Sequence, residues 1–393
     1  MRKLPALILT CLLLVAATSL AQQKQLEPVA LPPAPGRVIA TAFSPDSRSV
    51  ALVRSVSEES AENAKSAPPV HLTLQVMNLA TAEETAKTSI PNRVERGEAF
   101  QRHFLYYSAD GKRLLYATEG SDQITILDAE TFLVVRQFSL KPGKAKPAAE
   151  GFHGIAMIAP AAHANVFGIL RHDEGGEDEV LIGSFDSGEI LQSWPVGRVR
   201  VATPLGETSL ALSGDGKQVA LSVLPDANRL PKTFRNLRLY DAESGNLLKS
   251  IRSKGLVGPL VVLNKEHILA ARIDLPGFFS RSNCFERWDM NSGTLAGRYC
   301  AAKMNAIAVD ATTSTGRVAG YVGRWHKASD GNYYIRHGRV DVWNMNSGAP
   351  VASLGPFRGR GLVKISPDGK WILVEQILIQ VDEGPQVFSR SKH

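Results

Sequence analysis

Cysteine is scarce in this chain: 393 residues hold three, one of them, Cys11, inside an apolar stretch at the N-terminus. No cysteine pair at haem-attachment spacing exists. There is no Gly-x-Ser-x-Gly elbow, and no domain is expected beyond the repeats described below, so the peptidase arrangement of repeat domain plus hydrolase is not expected. No glycine-rich phosphate loop occurs, and no helical period of useful length follows the first twenty residues. No later run approaches the length of a membrane span. The formal charge of +7 falls to +5 without Arg2 and Lys3, too little for the dense basic patch of a nucleic-acid binder. Neither a cofactor nor a nucleic-acid partner is expected.

What is present begins with a leader. Arg2 and Lys3 precede an apolar segment over 4–17, and Ser19-Leu20-Ala21 places small residues where a signal peptidase reads. Residues 1–21 are expected to be a signal peptide and the mature chain periplasmic or secreted; a retained anchor is the alternative. Lipidation at Cys11 is rejected, because only residues 4–8 would precede its recognition triplet. In an oxidising compartment the remaining cysteines acquire meaning. Cys284 and Cys300 lie eight residues either side of Ser292 in a turn-centred hairpin, which sets them opposite each other. Opposed residues there have Cβ atoms about 4.5–5.5 Å apart, close to disulfide spacing.

Two turn motifs alternate along the chain. The first reads Ser44-Pro45-Asp46-Ser47-Arg48, Ser108-Ala109-Asp110-Gly111-Lys112, Ser213-Gly214-Asp215-Gly216-Lys217 and Ser366-Pro367-Asp368-Gly369-Lys370. The second reads Asp128-Ala129-Glu130-Thr131, Asp241-Ala242-Glu243-Ser244-Gly245, Asp289-Met290-Asn291-Ser292-Gly293 and Asn344-Met345-Asn346-Ser347-Gly348, with worn copies at Asn78 and Asp186. Asp or Asn bonds ahead into the turn and Gly supplies the left-handed residue. Two hairpins per unit make four short strands. The turn glycines Gly188, Gly245, Gly293 and Gly348 are spaced by 57, 48 and 55 residues, a blade-sized period. The expected fold is all-β: a β-propeller of seven four-stranded blades starting near residues 40, 104, 153, 208, 258, 304 and 361. Six or eight blades remain open, because the third, fifth and sixth first turns are eroded.

These turns, with a literal Trp288-Asp289, resemble the WD-repeat and YVTN-type propeller superfamily, here in an exported bacterial form. The resemblance spans nearly the whole mature chain and departs from WD repeats in lacking the Gly-His pair of each blade. It implies architecture and no particular activity. The expected organisation is a signal peptide over 1–21, an N-terminal linker over 22–37, one propeller over 38–388 and a tail over 389–393.

Both turn types fall on one face of such a ring, so the long insertions over 55–69, 89–103, 139–152, 171–179, 224–236, 274–283 and 323–338 fall on the other. Insertions gathered on one face of a repeat protein mark a binding surface. One of them is chemically dense: Arg324, Trp325, His326, Tyr333, Tyr334, Arg336 and His337, with Arg358 and Arg360 nearby in blade order. Guanidinium groups beside aromatic faces hold anions, sugars or acidic protein segments; a hairpin packed on neighbouring blades is the alternative. The acidic glycine-rich stretch over 172–179 lacks calcium-loop spacing and reads as a solvated hairpin tip. His103, His153 and His163 have no partner at metal spacing. The functional expectation is a binding or scaffolding module for a protein or glycan. A propeller enzyme of lactonase or quinoprotein-dehydrogenase type, with chemistry at the channel mouth, is the alternative.

Overall fold

The computed structural model describes residues 28–31, 36–57, 70–94, 102–140, 154–172, 177–197, 202–203, 206–207, 209–223, 236–253, 256–262, 267–273, 284–300, 305–312, 315–327, 333–345, 347–359, 362–374, 376–381 and 386–387. The expected signal peptide, much of the long insertions, His153, Arg360 and the tail over 389–393 lie outside them.

Seven four-stranded antiparallel sheets follow one another along the chain. Blade 1 runs Arg37–Phe43, Ser49–Ser57, Val70–Asn78 and Glu84–Val94; blade 2 runs His103–Tyr107, Arg113–Thr118, Gln123–Asp128 and Val134–Ser139. Blade 3 comprises Gly154–Pro160, Val166–His172, Asp178–Ser184 and Ile190–Gly197; blade 4, Ser209–Leu212, Gln218–Ser222, Leu237–Asp241 and Leu247–Ile251. Blade 5 comprises Leu256–Val262, His267–Ile273, Cys284–Asp289 and Leu295–Cys300; blade 6, Asn305–Ala311, Arg317–Lys327, Tyr333–Asn344 and Pro350–Gly359. Blade 7 takes Val363–Ile365, Trp371–Val374 and Ile377–Gln380 from the end of the chain and its outermost strand, Pro28–Ala30, from the beginning. The innermost strand of each blade touches that of the next, and blade 7 touches blade 1. The ring is closed. It is a seven-bladed β-propeller.

Where their side chains are described, the second strands are buried on both faces, because a radial sheet packs against a neighbour on either side. That is why the second strands read as unbroken apolar runs rather than alternating ones: Val50 to Val53, Leu114 to Ala117, Val219 to Leu221 and Ile372 to Val374 are fully buried. Seven apolar clusters fill the seven blade interfaces. One joins Leu105, Leu114 and Tyr116 to Val53 and Leu72 across blades 1 and 2; another joins Leu373 and Leu378 of blade 7 to Val50 and Leu52 of blade 1.

Pro28–Ala30 falls in the stretch expected to be a linker. It pairs antiparallel with blade 7, Pro28 opposite Ile379 and Ala30 opposite Ile377. Blade 7 carries only three strands of its own, and its outer edge would otherwise stand open. Leu31, next along, is buried with Leu373 and Leu378. At the other end Gln386–Val387 adds in parallel to the outer strand of blade 6, opposite Ala352 and Ser353.

The turns work as their residues dictate. The Ser108 hydroxyl donates to Asp110 at 2.6 Å, the Lys112 N–H donates to Asp110 at 3.0 Å, and the Arg113 N–H donates to Ser108 Oγ at 2.9 Å. The same three bonds recur at Ser44, Ser213 and Ser366. At the second corner Asp128 accepts from the Thr131 N–H, Asp241 from the Ser244 N–H, and Asp289 from the Ser292 N–H. Gly245 has φ of 71° and packs on Trp194 of the preceding blade, so both conformation and space demand glycine.

These bonds set a pH dependence. Burial alone would raise Asp46 and Asp110, but the bonds from Ser44 and Ser108 and from the following N–H groups hold both below the ordinary carboxylate value. Asp128, Asp241 and Asp289 are lowered chiefly by bonds from the Thr131 N–H, the Ser244 hydroxyl and the Ser292 N–H respectively. A folded-state value below the unfolded one contributes stability above the unfolded pKa of about 4 that is lost as pH falls through the folded value. Blade 6 already carries Asn344 at the same corner, accepting from the Ser347 N–H at 3.1 Å. Asp128→Asn, Asp241→Asn and Asp289→Asn together should therefore fold, and should flatten the fall in melting temperature between pH 5 and pH 3. Thermal melts across that range check it; an unchanged slope would place the acid sensitivity elsewhere.

Candidate functional site

The antiparallel order of every blade puts the first-to-second and third-to-fourth strand turns on one face. Second-to-third connections and the links between blades lie on the opposite face. The strands that lead into the long insertions therefore end on one face, and on it the described residues of blade 6 differ from the rest.

Its second and third strands, at 11 and 12 residues, outrun the inner strand, whose first pair is Asn305 with Gly323. Beyond that pair a two-stranded ribbon continues, Arg324 opposite Arg336, Trp325 opposite Ile335, His326 opposite Tyr334 and Lys327 opposite Tyr333. Four further residues at about 3.3 Å each carry it some 13 Å past the inner strand. The segment expected as an irregular loop is thus mostly paired strand.

The fourth strand joins in. Ile335 pairs with Gly359 and Gly338 with Phe357, so Arg358 faces the two-residue span Arg336-His337 across a bulge. His337 takes the left-handed conformation, with φ of 53°. Gly338 is buried, and a Cβ there would collide with the Tyr321 hydroxyl. Both features let the ribbon bend as it leaves the blade. The structure thus brings Arg324, Arg336 and Arg358 onto three adjacent strands, with His326, Tyr334 and His337 among them; Arg324 and His337 are exposed. Trp325 and Tyr333 occupy the alternate register positions.

The central axis holds a second group. Lys364 of blade 7 places its Nζ over the Tyr106 ring of blade 2, 5.5 Å from the centroid, reaching past blade 1. The Tyr106 hydroxyl donates to the Ile158 carbonyl of blade 3 at 3.0 Å, and Asp310 of blade 6 accepts the Ile365 N–H at 2.9 Å. Burial, the largest single influence, would lower Lys364; the Asp310 carboxylate and Tyr106 together outweigh it and hold the ammonium above the ordinary lysine value. Burial is the main reason the Tyr106 phenol is raised. Lys364, Tyr106 and Asp310 each stand two residues before their blade's first turn, where Ala42, Ala159 and Ala211 stand in other blades. Further along the axis Arg102 grips Glu119 with Nη2 at 2.7 Å and Nε at 3.0 Å. A cation is thus held against a phenol ring across the channel. No cluster of three metal-ligating side chains occurs among the described residues.

The singled-out histidines have structural places. His103 Nδ1 lies 2.8 Å from the Tyr116 hydroxyl, and burial lowers its pKa to about 4 against the pull of Glu119. His163 packs under Gly214, whose carbonyl accepts its backbone N–H at 2.7 Å. His172, at the base of the acidic stretch, is 2.6 Å from the fully buried Asp178. Cys284 and Cys300 are directly opposed and joined.

The class this geometry defines is the seven-bladed β-propeller. No family model matches the chain, and no curated protein matches it. Solved structures do, in 1220 chains. One is the structure of U3-55K, similar with a TM-score of 0.58 over 88% of this chain and 90% of its own, at 12% identity. At that identity the likeness shows a shared fold.

Proposed function

We propose that this chain is a non-catalytic binding or scaffolding propeller of WD-repeat or YVTN type that engages an anionic protein or glycan through the blade 6 ribbon. The observation that carries this reading is the direct opposition of Arg324 and Arg336 with Arg358 on the next strand. Like charges opposite each other on paired strands destabilise the pairing. Three guanidinium groups on neighbouring strands are best accommodated by an external anion, and guanidinium forks suit carboxylate, sulfate or phosphate. The neighbouring Tyr334 and His326 add ring faces and donors suited to sugars or peptide. Export to the periplasm or beyond is part of the reading, supported by the leader-like sequence over 1–21 and by the disulfide.

The test is capture. Arg324→Ala, Arg336→Ala and Arg358→Ala together should lower retention of anionic envelope proteins and glycans at least tenfold, without lowering the melting temperature. Raising salt should weaken wild-type capture in the same direction. Retention that survives the triple substitution removes the ribbon from the reading.

A further inference from the structure

Apolar side chains exposed singly on a surface need no explanation, whereas a contiguous group of them marks a contact. Among the described residues, the exposed large apolar side chains all occur at one place in the blade. Blade 2 shows Leu133, Val134 and Val135, between 45% and 69% exposed. Leu191 of blade 3, Leu247 and Leu248 of blade 4 and Leu295 of blade 5 continue the series at 39% to 53%. All stand just after the second corner, at the start of the outermost strand. Val134, Leu247 and Leu295 face Leu127, Tyr240 and Trp288 of the third strand. In each blade the next residue, such as Val135, Leu191 or Leu248, is the extra residue of a bulge.

These four rims adjoin. Arg136 of blade 2 donates to the Ser187 carbonyl in the corner of blade 3, and Lys249 of blade 4 donates to the Asn291 carbonyl in that of blade 5. The other three blades differ at the same place. Blade 1 has Glu84 and Thr85, which blunt an edge. Blade 7 has the N-terminal strand as its outer strand, and blade 6 has its edge covered by Gln386–Val387. That added strand pairs with Ala352 and Ser353, immediately after the blade 6 bulge between Val342 and Trp343 pairs. The equivalent edges of blades 2 to 5 have no such strand among the described residues.

We propose that the outer edges of blades 2 to 5 form a docking surface for an extended, aliphatic-rich segment of a partner protein, which adds as a fifth strand beside the bulge. Backbone bonds to the free edge would hold the segment, and the exposed Val and Leu side chains would select aliphatic neighbours. The chain's own Gln386–Val387 demonstrates the geometry on blade 6. This surface is separate from the blade 6 ribbon and does not depend on it.

The probe is a fluorescent octapeptide of alternating Val and Thr, with a control N-methylated at alternate backbone nitrogens. Anisotropy should show saturable binding of the first peptide to the full chain. The control and the variant Val135→Asp, Leu191→Asp, Leu248→Asp, Leu295→Asp should each bind at least tenfold more weakly. The N-methylated control needs no substitution, so the test survives if the variant fails to fold. No saturable binding, or equal binding of the control, overturns the proposal. So does a wild-type dimer in light scattering that the variant abolishes, which would assign the surface to a second copy. Sedimentation with phosphatidylcholine–phosphatidylglycerol vesicles that the variant abolishes would assign it to lipid and overturn it equally.

Discussion

Removing residues 22–31 is expected to produce the largest loss of stability of any short deletion in the chain. Blade 7 then keeps three strands, and the pairs from Pro28 to Ile379 and Ala30 to Ile377 vanish. Leu31 also leaves a cluster in which Leu373, Leu378, Val50 and Leu52 are fully buried. Emptying that one site by Leu31→Ala should cost about 2–5 kcal/mol, the range for buried leucine. The full deletion adds the lost strand and an open apolar edge, a template for association with other chains. The measurement is a denaturant melt with light scattering alongside. The deletion should melt earlier and aggregate, Leu31→Ala should only melt earlier, and a deletion indistinguishable from wild type would falsify closure of the ring by this strand.

Reduction of the disulfide ranks next. Cys284 and Cys300 close a loop with a sequence separation of 16. Closing a loop of that size in the unfolded chain stabilises the folded state by about 3 kcal/mol. The double variant Cys284→Ser, Cys300→Ser, compared with the oxidised chain in guanidinium, should show a lowered midpoint. Because the bridge joins neighbouring strands of blade 5 alone, the ring should still form and circular dichroism should be preserved. Mass mapping without reductant should recover 284 and 300 in one linked peptide. Equal midpoints would mean that the tie constrains nothing the hairpin does not already hold.

How far the fold was legible depends on how local its causes are. Asp110 and Asp241 bond to groups two or three residues away, so their corners are written in consecutive residues. The disulfide was legible for the same reason, being the far end of a hairpin whose centre is a readable turn. Strand Pro28–Ala30 was not, because its partners lie some 350 residues on and three residues carry no period. The eroded first turn of blade 3 has alanine where others have serine, so it closes through the backbone: the Ala161 N–H donates to the Val166 carbonyl, and the His163 N–H donates to the Gly214 carbonyl of blade 4. The ribbon arginines were visible as a cluster, but their cross-strand pairing needed a register that irregularities in both ladders displace. Lys364, Tyr106 and Asp310 went unread although a signal exists: each puts a polar or bulky side chain where blades 1, 3 and 4 have alanine.

Joining the beginning of the chain to its end also sets an order of events. Strands of blade 1 to blade 6 can assemble as they emerge from synthesis, each needing only its neighbours. Strand Pro28–Ala30 has no pairing partner until Ile377–Ile379 exist, so a segment made before any blade waits until all seven are made. Contacts of such separation are slow to form, and through that interval an unfinished blade and an unclaimed strand coexist. The chain is then most vulnerable to proteases and to other copies of itself, and a chaperone gains most by acting just before the circle is complete.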